Sequence, residues 1–167
     1  MDDSTNLCLA CGLCCDGTVI GFVQLGREEL PAYRDMMDVE NSNGEGFFLQ
    51  PCKKFCGGCT IYTNRPKQCA KYECALLKAL DEKELAFDAA VDITKEVKQK
   101  KIALQERLDS LQIKLHSQSF YFQMAELNKL LLNNGAGLLA TQDHLALRAE
   151  LNQLDSLLSS KFGGSMF

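Results

Sequence analysis

This chain has no tryptophan, only three prolines and only two histidines among its 167 residues. So few imidazoles leave little room for histidine-based acid/base or nucleophilic chemistry, and His116 and His144 both lie far in sequence from any other reactive cluster. No apolar run approaches the roughly 20 residues that cross a bilayer. The start, Met1-Asp2-Asp3-Ser4-Thr5-Asn6, lacks the basic and apolar regions of a secretory signal, which points to a cytoplasmic setting. A net charge of −4 argues against general nucleic-acid affinity. There is no Gly-rich phosphate loop either, since Gly44-Glu45-Gly46 lacks the lysine and the following helix such a loop needs. With 46% hydrophobic and 24% charged residues, the composition is that of a globular chain.

What the chain does have is cysteine, nine in all, and none after Cys74. They fall in two bursts, Cys8, Cys11, Cys14 and Cys15, then Cys52, Cys56, Cys59 and Cys69, with Cys74 closing the set. A reducing cytoplasm disfavours disulfides, so this crowding of soft ligands reads as a metal site. Thiols at 8, 11 and 14 recur every three residues, a spacing at which one turn can aim all three at a single centre. Cys15 follows Cys14 directly and points elsewhere, toward a second metal or another edge of a cluster. On one straight helix Cys69 and Cys74 would stand roughly 140° and about 7.5 Å apart. Either the helix breaks between them or they serve different metals.

Thiolate suits zinc and iron alike. The triple spacing and the splayed pair lean toward an iron-sulfur cluster, with zinc the alternative. Eight thiolates around two zinc ions keep an excess of negative charge, which needs nearby cations or backbone donors. Lys53, Lys54, Arg65, Lys67 and Lys71 are the candidates, in a stretch without acids from 53 to 72. Those same cations leave a zinc-stabilised nucleic-acid module as one alternative, although the aromatics among them (Phe55, Tyr62, Tyr72) are scattered. Cys52-x-x-x-Cys56-x-x-Cys59 has the spacing of radical S-adenosylmethionine enzymes, but the mostly helical remainder cannot supply the strands of their barrel.

Periodicity divides the chain near residue 75. Before it we expect a strand over 18–24, a short helix over 27–37, a turn over 41–46 and a strand over 47–50. Beyond it, Ala90, Ile93, Val97, Leu104, Leu108, Leu111 and Leu115 form one apolar stripe, interrupted by the polar Lys101. Phe120, Met124, Leu127 and Leu131 form a second stripe, Asn133 to Gly137 reads as a stop, and Leu147, Leu151, Leu154 and Leu158 form a third. The expectation is an α+β, mostly α chain: a cysteine-rich domain over 1–75, a helical hairpin or three-helix bundle over 76–162, and a flexible tail over 163–167.

The arrangement Cys-x-x-Cys-x-x-Cys-Cys at 8–15, with Cys59-Thr60-Ile61-Tyr62-Thr63-Asn64-Arg65-Pro66-Lys67-Gln68-Cys69 and Cys74, resembles the YkgJ family of cysteine-cluster proteins. The resemblance covers 8–74 and implies zinc or iron chelation by Cys8, Cys11, Cys14, Cys15, Cys52, Cys59, Cys69 and Cys74. Cys56 departs from the family pattern and is a possible additional ligand or nucleophile. A related region occurs in flagellin lysine N-methylases, which gives a second alternative: a redox or methyl-transfer enzyme with an open metal position. Metal ions are the expected partners, with a protein partner possible on the helical half and no membrane.

Overall fold

A computed structural model of the chain describes residues 2–42, 44–138 and 141–167. It is α+β and mostly α, as the periodicity suggests. The helices are α1 (Asp3–Cys11), α2 (Leu30–Tyr33), α3 (Lys67–Lys71), α4 (Ala75–Asp81), α5 (Phe87–Ser110), α6 (Phe120–Leu138) and α7 (Thr141–Phe162). One antiparallel sheet of order β1-β3-β2 holds β1 (Phe22–Leu25), β2 (Glu40–Ser42) and β3 (Glu45–Leu49).

The expected first strand forms later than its β-branched run. Phe22 pairs with Leu49 and Leu25 with Gly46, while Thr18 is fully buried in a turn that precedes the strand. Only Leu30–Tyr33 of the expected helix over 27–37 is α-helical. Within the expected turn over 41–46, Asn43 lies outside the described residues, and β2 and β3 take up its flanks.

Two hydrophobic cores result. The larger joins Leu7 and Leu13 to Leu76, Leu77 and the apolar stripes of α5, α6 and α7. In it α7 packs on both α5 and α6, and α1 packs on α4 and α5. The smaller core lies under the sheet and consists of Val23, Leu25, Leu30, Tyr33, Met37 and Phe48. Phe22, on the outer face of the sheet, stacks on Phe122 of α6 at 6.3 Å between ring centres and so links the two.

Helix ends differ from the expected positions for identifiable reasons. The stripe reaches Leu115, yet α5 stops at Ser110. Gln112 takes a left-handed φ of 56°, Ile113 N–H reaches Leu108 O at 2.9 Å, and Gln112 N–H reaches Asp109 O at 3.0 Å. That is a Schellman cap without glycine. Conversely, α6 runs through Asn133 to Gly137 and ends at Leu138. Glycine and asparagine weaken a helix by about 1 kcal/mol or less each, which packing of the preceding turns on α7 can override. Residues 163–167, read above as a tail, lie against the bundle: Met166 is 2% exposed, and its N–H reaches Asp155 Oδ1 at 2.7 Å.

Candidate metal centre

The first cysteine segment is positioned by α1. Asp2 caps the helix by accepting from Thr5 N–H at 2.8 Å. Gly12 ends it in the left-handed region at φ 67°, with its N–H on Cys8 O. The half-buried ring of Phe55 is brought so close that a Cβ at Gly12 would fall 2.5 Å from its Cε2. Cys14 and Cys15 follow in a turn pinned from inside by Leu13, which is fully buried and whose carbonyl accepts from Thr18 and Val19, both at 3.0 Å.

Cys52 N–H donates to Cys15 O at 2.8 Å, which ties the second burst to the first. A short bridge between Phe55 and Cys59 folds the loop, and Cys69 sits on α3. The chain is extended at Tyr72 and Cys74, so the helix breaks between Cys69 and Cys74, and Cys74 becomes the N-cap of α4. Backbone N–H groups of Leu77 and Leu76 point at the Cys74 sulfur and favour its thiolate, although burial outweighs them and raises its pKa.

Eight thiols, Cys8, Cys11, Cys14, Cys15, Cys52, Cys59, Cys69 and Cys74, line a single cavity of about 250 Å³. Cys56 is exposed and does not line it. Mutual repulsion among the sulfurs divides the eight. Cys14 feels Cys11, Cys74, Cys15 and Cys8, and Cys11 feels Cys74 and Cys8. Cys15 feels Cys59, Cys52 and Cys69, and Cys69 feels Cys52 and Cys59. Most of this repulsion runs within two sets of sulfurs, and Cys14 and Cys15 couple the sets. Cys8, Cys11 and Cys74 pack on the helical core, whereas Cys52 and Cys69 pack on the core under the sheet.

Burial pushes the thiols of Cys11, Cys15 and Cys69 up to about 12 and that of Cys14 well above the usual range. The metal-free thiols at these positions are therefore protonated at neutral pH and do not need to draw together. Among the described residues no three His, Cys, Asp or Glu side chains stand at the distances of one ion's ligand shell. The donor set nonetheless fits a thiophilic metal, since eight soft thiol ligands line one cavity.

The cations are only partly those the sequence offers. Arg65 lines the cavity, lies 3.8 Å above the Tyr62 ring, and lowers the thiol pKa of Cys8 and Cys69 against the burial. Lys54 acts likewise on Cys52, whose sulfur also accepts the Lys54 N–H at 3.4 Å. Lys53 and Lys67 instead form exposed ion pairs with Asp38 and Glu28, and Lys71 is exposed and does not line the cavity.

Two lysines of α5 also reach this region, and one of them acts on a thiol. Lys98 Nζ donates to Ala10 O at 2.9 Å and lowers the Cys11 pKa against its burial. Lys101 Nζ bridges to Asp16 Oδ2 at 2.9 Å and to Thr18 Oγ1 at 3.0 Å, fastening the residue after Cys15 to the bundle. The only sequence signal was a lysine interrupting an apolar stripe. His144 contacts Leu131 O between α7 and α6, and His116 bonds Glu126 through its backbone N–H, so neither belongs to the site.

A small α+β chain with eight thiols lining one cavity belongs to the class of cysteine-rich metal-binding proteins. Within that class it matches the CxxCxxCC family model, described as "Putative zinc- or iron-chelating domain", over residues 7–108, and it is a member of that family. The match continues past Cys74 to Leu108 in α5, which takes in Lys98 and Lys101. No curated protein and no solved structure matches the chain.

Proposed function

We propose that the chain holds metal in two four-thiolate sites, Cys8, Cys11, Cys14 and Cys74 in one and Cys15, Cys52, Cys59 and Cys69 in the other. The sites join the cysteine-rich portion, residues 1–75, to the helices of 76–162, and α5 to α7 offer a scaffold for a protein partner in the cytoplasm. The observation that supports this reading is that eight sulfurs line one cavity, with Cys8, Cys11 and Cys74 packed on the helical core and Cys52 and Cys69 on the core under the sheet. Four thiolates is the ligand count of structural zinc and of iron-sulfur clusters. Zinc would supply a closed cross-link, and iron would add one-electron chemistry to it.

The chain's own residues would screen the thiolate charge through Arg65, Lys98 and Lys54 and hold the Cys14–Cys15 turn through Lys101 and Asp16. Cys56, exposed and outside the cavity, gives no support to an open ninth position. The test is anaerobic purification of the full chain with metal analysis and an absorption spectrum. About two zinc ions in a colourless protein, or iron with broad absorbance near about 400 nm, supports the reading. Less than about half an equivalent of any thiophilic metal, under conditions that keep the thiols reduced, would sink it.

A further inference from the structure

Among the described residues, Gln50 Oε1 is the buried side-chain oxygen that lacks a hydrogen-bond partner. Gln50 is 2% exposed and lines the eight-thiol cavity. Its backbone is fixed: Gln50 N–H donates to Gly21 O at 3.1 Å, and Cys52, two residues on, donates to Cys15 O at 2.8 Å. Gly17 lies close behind it, since a Cβ there would fall 3.1 Å from Gln50 Cβ. Gln50 is therefore held in the cavity wall by its backbone.

A glutamine tip has one accepting and one donating end, and the surroundings decide which end faces inward. A protonated thiol can offer Oε1 a weak S–H donor, whereas a thiolate can only accept. Resting on the metal-binding reading above, we propose that Gln50 is a positioning residue of the metal centre: in the loaded protein its Nε2–H faces inward and donates to a thiolate of the cavity wall. The bond would orient that sulfur and draw off part of its charge, as outer partners of metal ligands do. An unpartnered amide oxygen in the wall of a thiol-lined cavity, where an apolar side chain would fill the space without needing a partner, is the feature this explains.

The test uses the full chain with cobalt(II) as the probe, and two variants. Gln50→Leu removes both ends of the amide, and Gln50→Glu keeps an acceptor while removing the donor. Both should retain metal about 10–100-fold less tightly than wild type in chelator competition. In Gln50→Leu the thiolate-to-cobalt band should also move to longer wavelength, because a sulfur that has lost a donor gives up its electron more readily. Wild-type retention and band position in both variants would overturn the inference. Weakening in Gln50→Leu alone would overturn it by assigning the role to the oxygen, and weakening in Gln50→Glu alone would reduce it to charge repulsion. Failure of the wild type to bind cobalt at all would instead count against the two-site reading on which it rests.

Discussion

Replacing Lys101 by methionine keeps most of the stem and removes the ammonium that lies 4.7 Å over the Phe120 ring and holds Asp16. The lysine and aspartate side chains are only 13% and 20% exposed, so this is a largely buried pair. Breaking a fully buried pair costs about 3–5 kcal/mol, because one charge is left without its partner. Here Asp16 keeps two donors, Thr18 N–H at 2.9 Å and Thr18 Oγ1 at 2.6 Å, which lowers the penalty. We expect Lys101→Met to cost about 2–3 kcal/mol. With a urea dependence of roughly 1–3 kcal/mol per molar, the midpoint should fall by about 1 M or more. Combining it with Asp16→Asn should recover part of the loss and give a coupling of about 1.5–3 kcal/mol. Because Asp16 follows Cys15, metal retention should weaken too. A single variant within about 0.5 kcal/mol of wild type, with strictly additive effects in the double, would refute the reasoning.

Two further perturbations probe the same region. Gly12→Ala forces a Cβ into a left-handed position 2.5 Å from the Phe55 ring, so it should cost at least about 1–2 kcal/mol by thermal unfolding, with partial recovery on adding Phe55→Ala. The second is pH. Burial pushes Cys11, Cys15 and Cys69 up to about 12 from an ordinary 9.0, so the fold keeps these protons longer than the unfolded chain does. Their contribution to metal-free stability is therefore fully present below pH 9.0 and lost as pH rises toward about 12. For the same reason metal binding at neutral pH must release several protons, and affinity must strengthen as pH rises. Calorimetry in buffers of different ionisation enthalpy reads this directly, and a binding enthalpy independent of buffer would contradict it.

The part of the site that depends on local spacing was legible before any coordinates. Thiols at 8 and 11 lie one turn apart on α1, and its glycine cap leads into the turn that carries Cys14. Of the two readings of Cys69 and Cys74, the structure shows the first: the helix breaks between them. The cations were legible only in part, because charge in sequence does not say where a long side chain turns. Lys53 and Lys67 find acids of their own, while Lys98 and Lys101 reach the site from α5. That helix lies more than 80 residues from the turn it fastens, and nothing short of the packed fold brings the two together.

The same distinction runs through the fold. Stripes on α5, α6 and α7 give the helices because each buries one face, and Leu104, Met124 and Leu151 are all essentially inaccessible. Their ends were less legible. Gln112 caps α5 in a conformation usually left to glycine, whereas Asn133 to Gly137 continue α6 where glycine would ordinarily end it. Leu7 and Leu13 show why residue 75 is a boundary in composition more than in packing, since both enter the core of the helices beyond it.

Native mass spectrometry of the metal-loaded chain beside two double variants bears most directly on the central claim. Cys8→Ser with Cys74→Ser disables one proposed site, and Cys52→Ser with Cys69→Ser disables the other. The account predicts that the wild type carries two separate metal loads and that each variant keeps one of them, with its helical signal retained. Complete loss of metal from either variant would mean one shared centre, and retention of both loads would mean the wrong sulfurs, so either result would contradict the division into two fours.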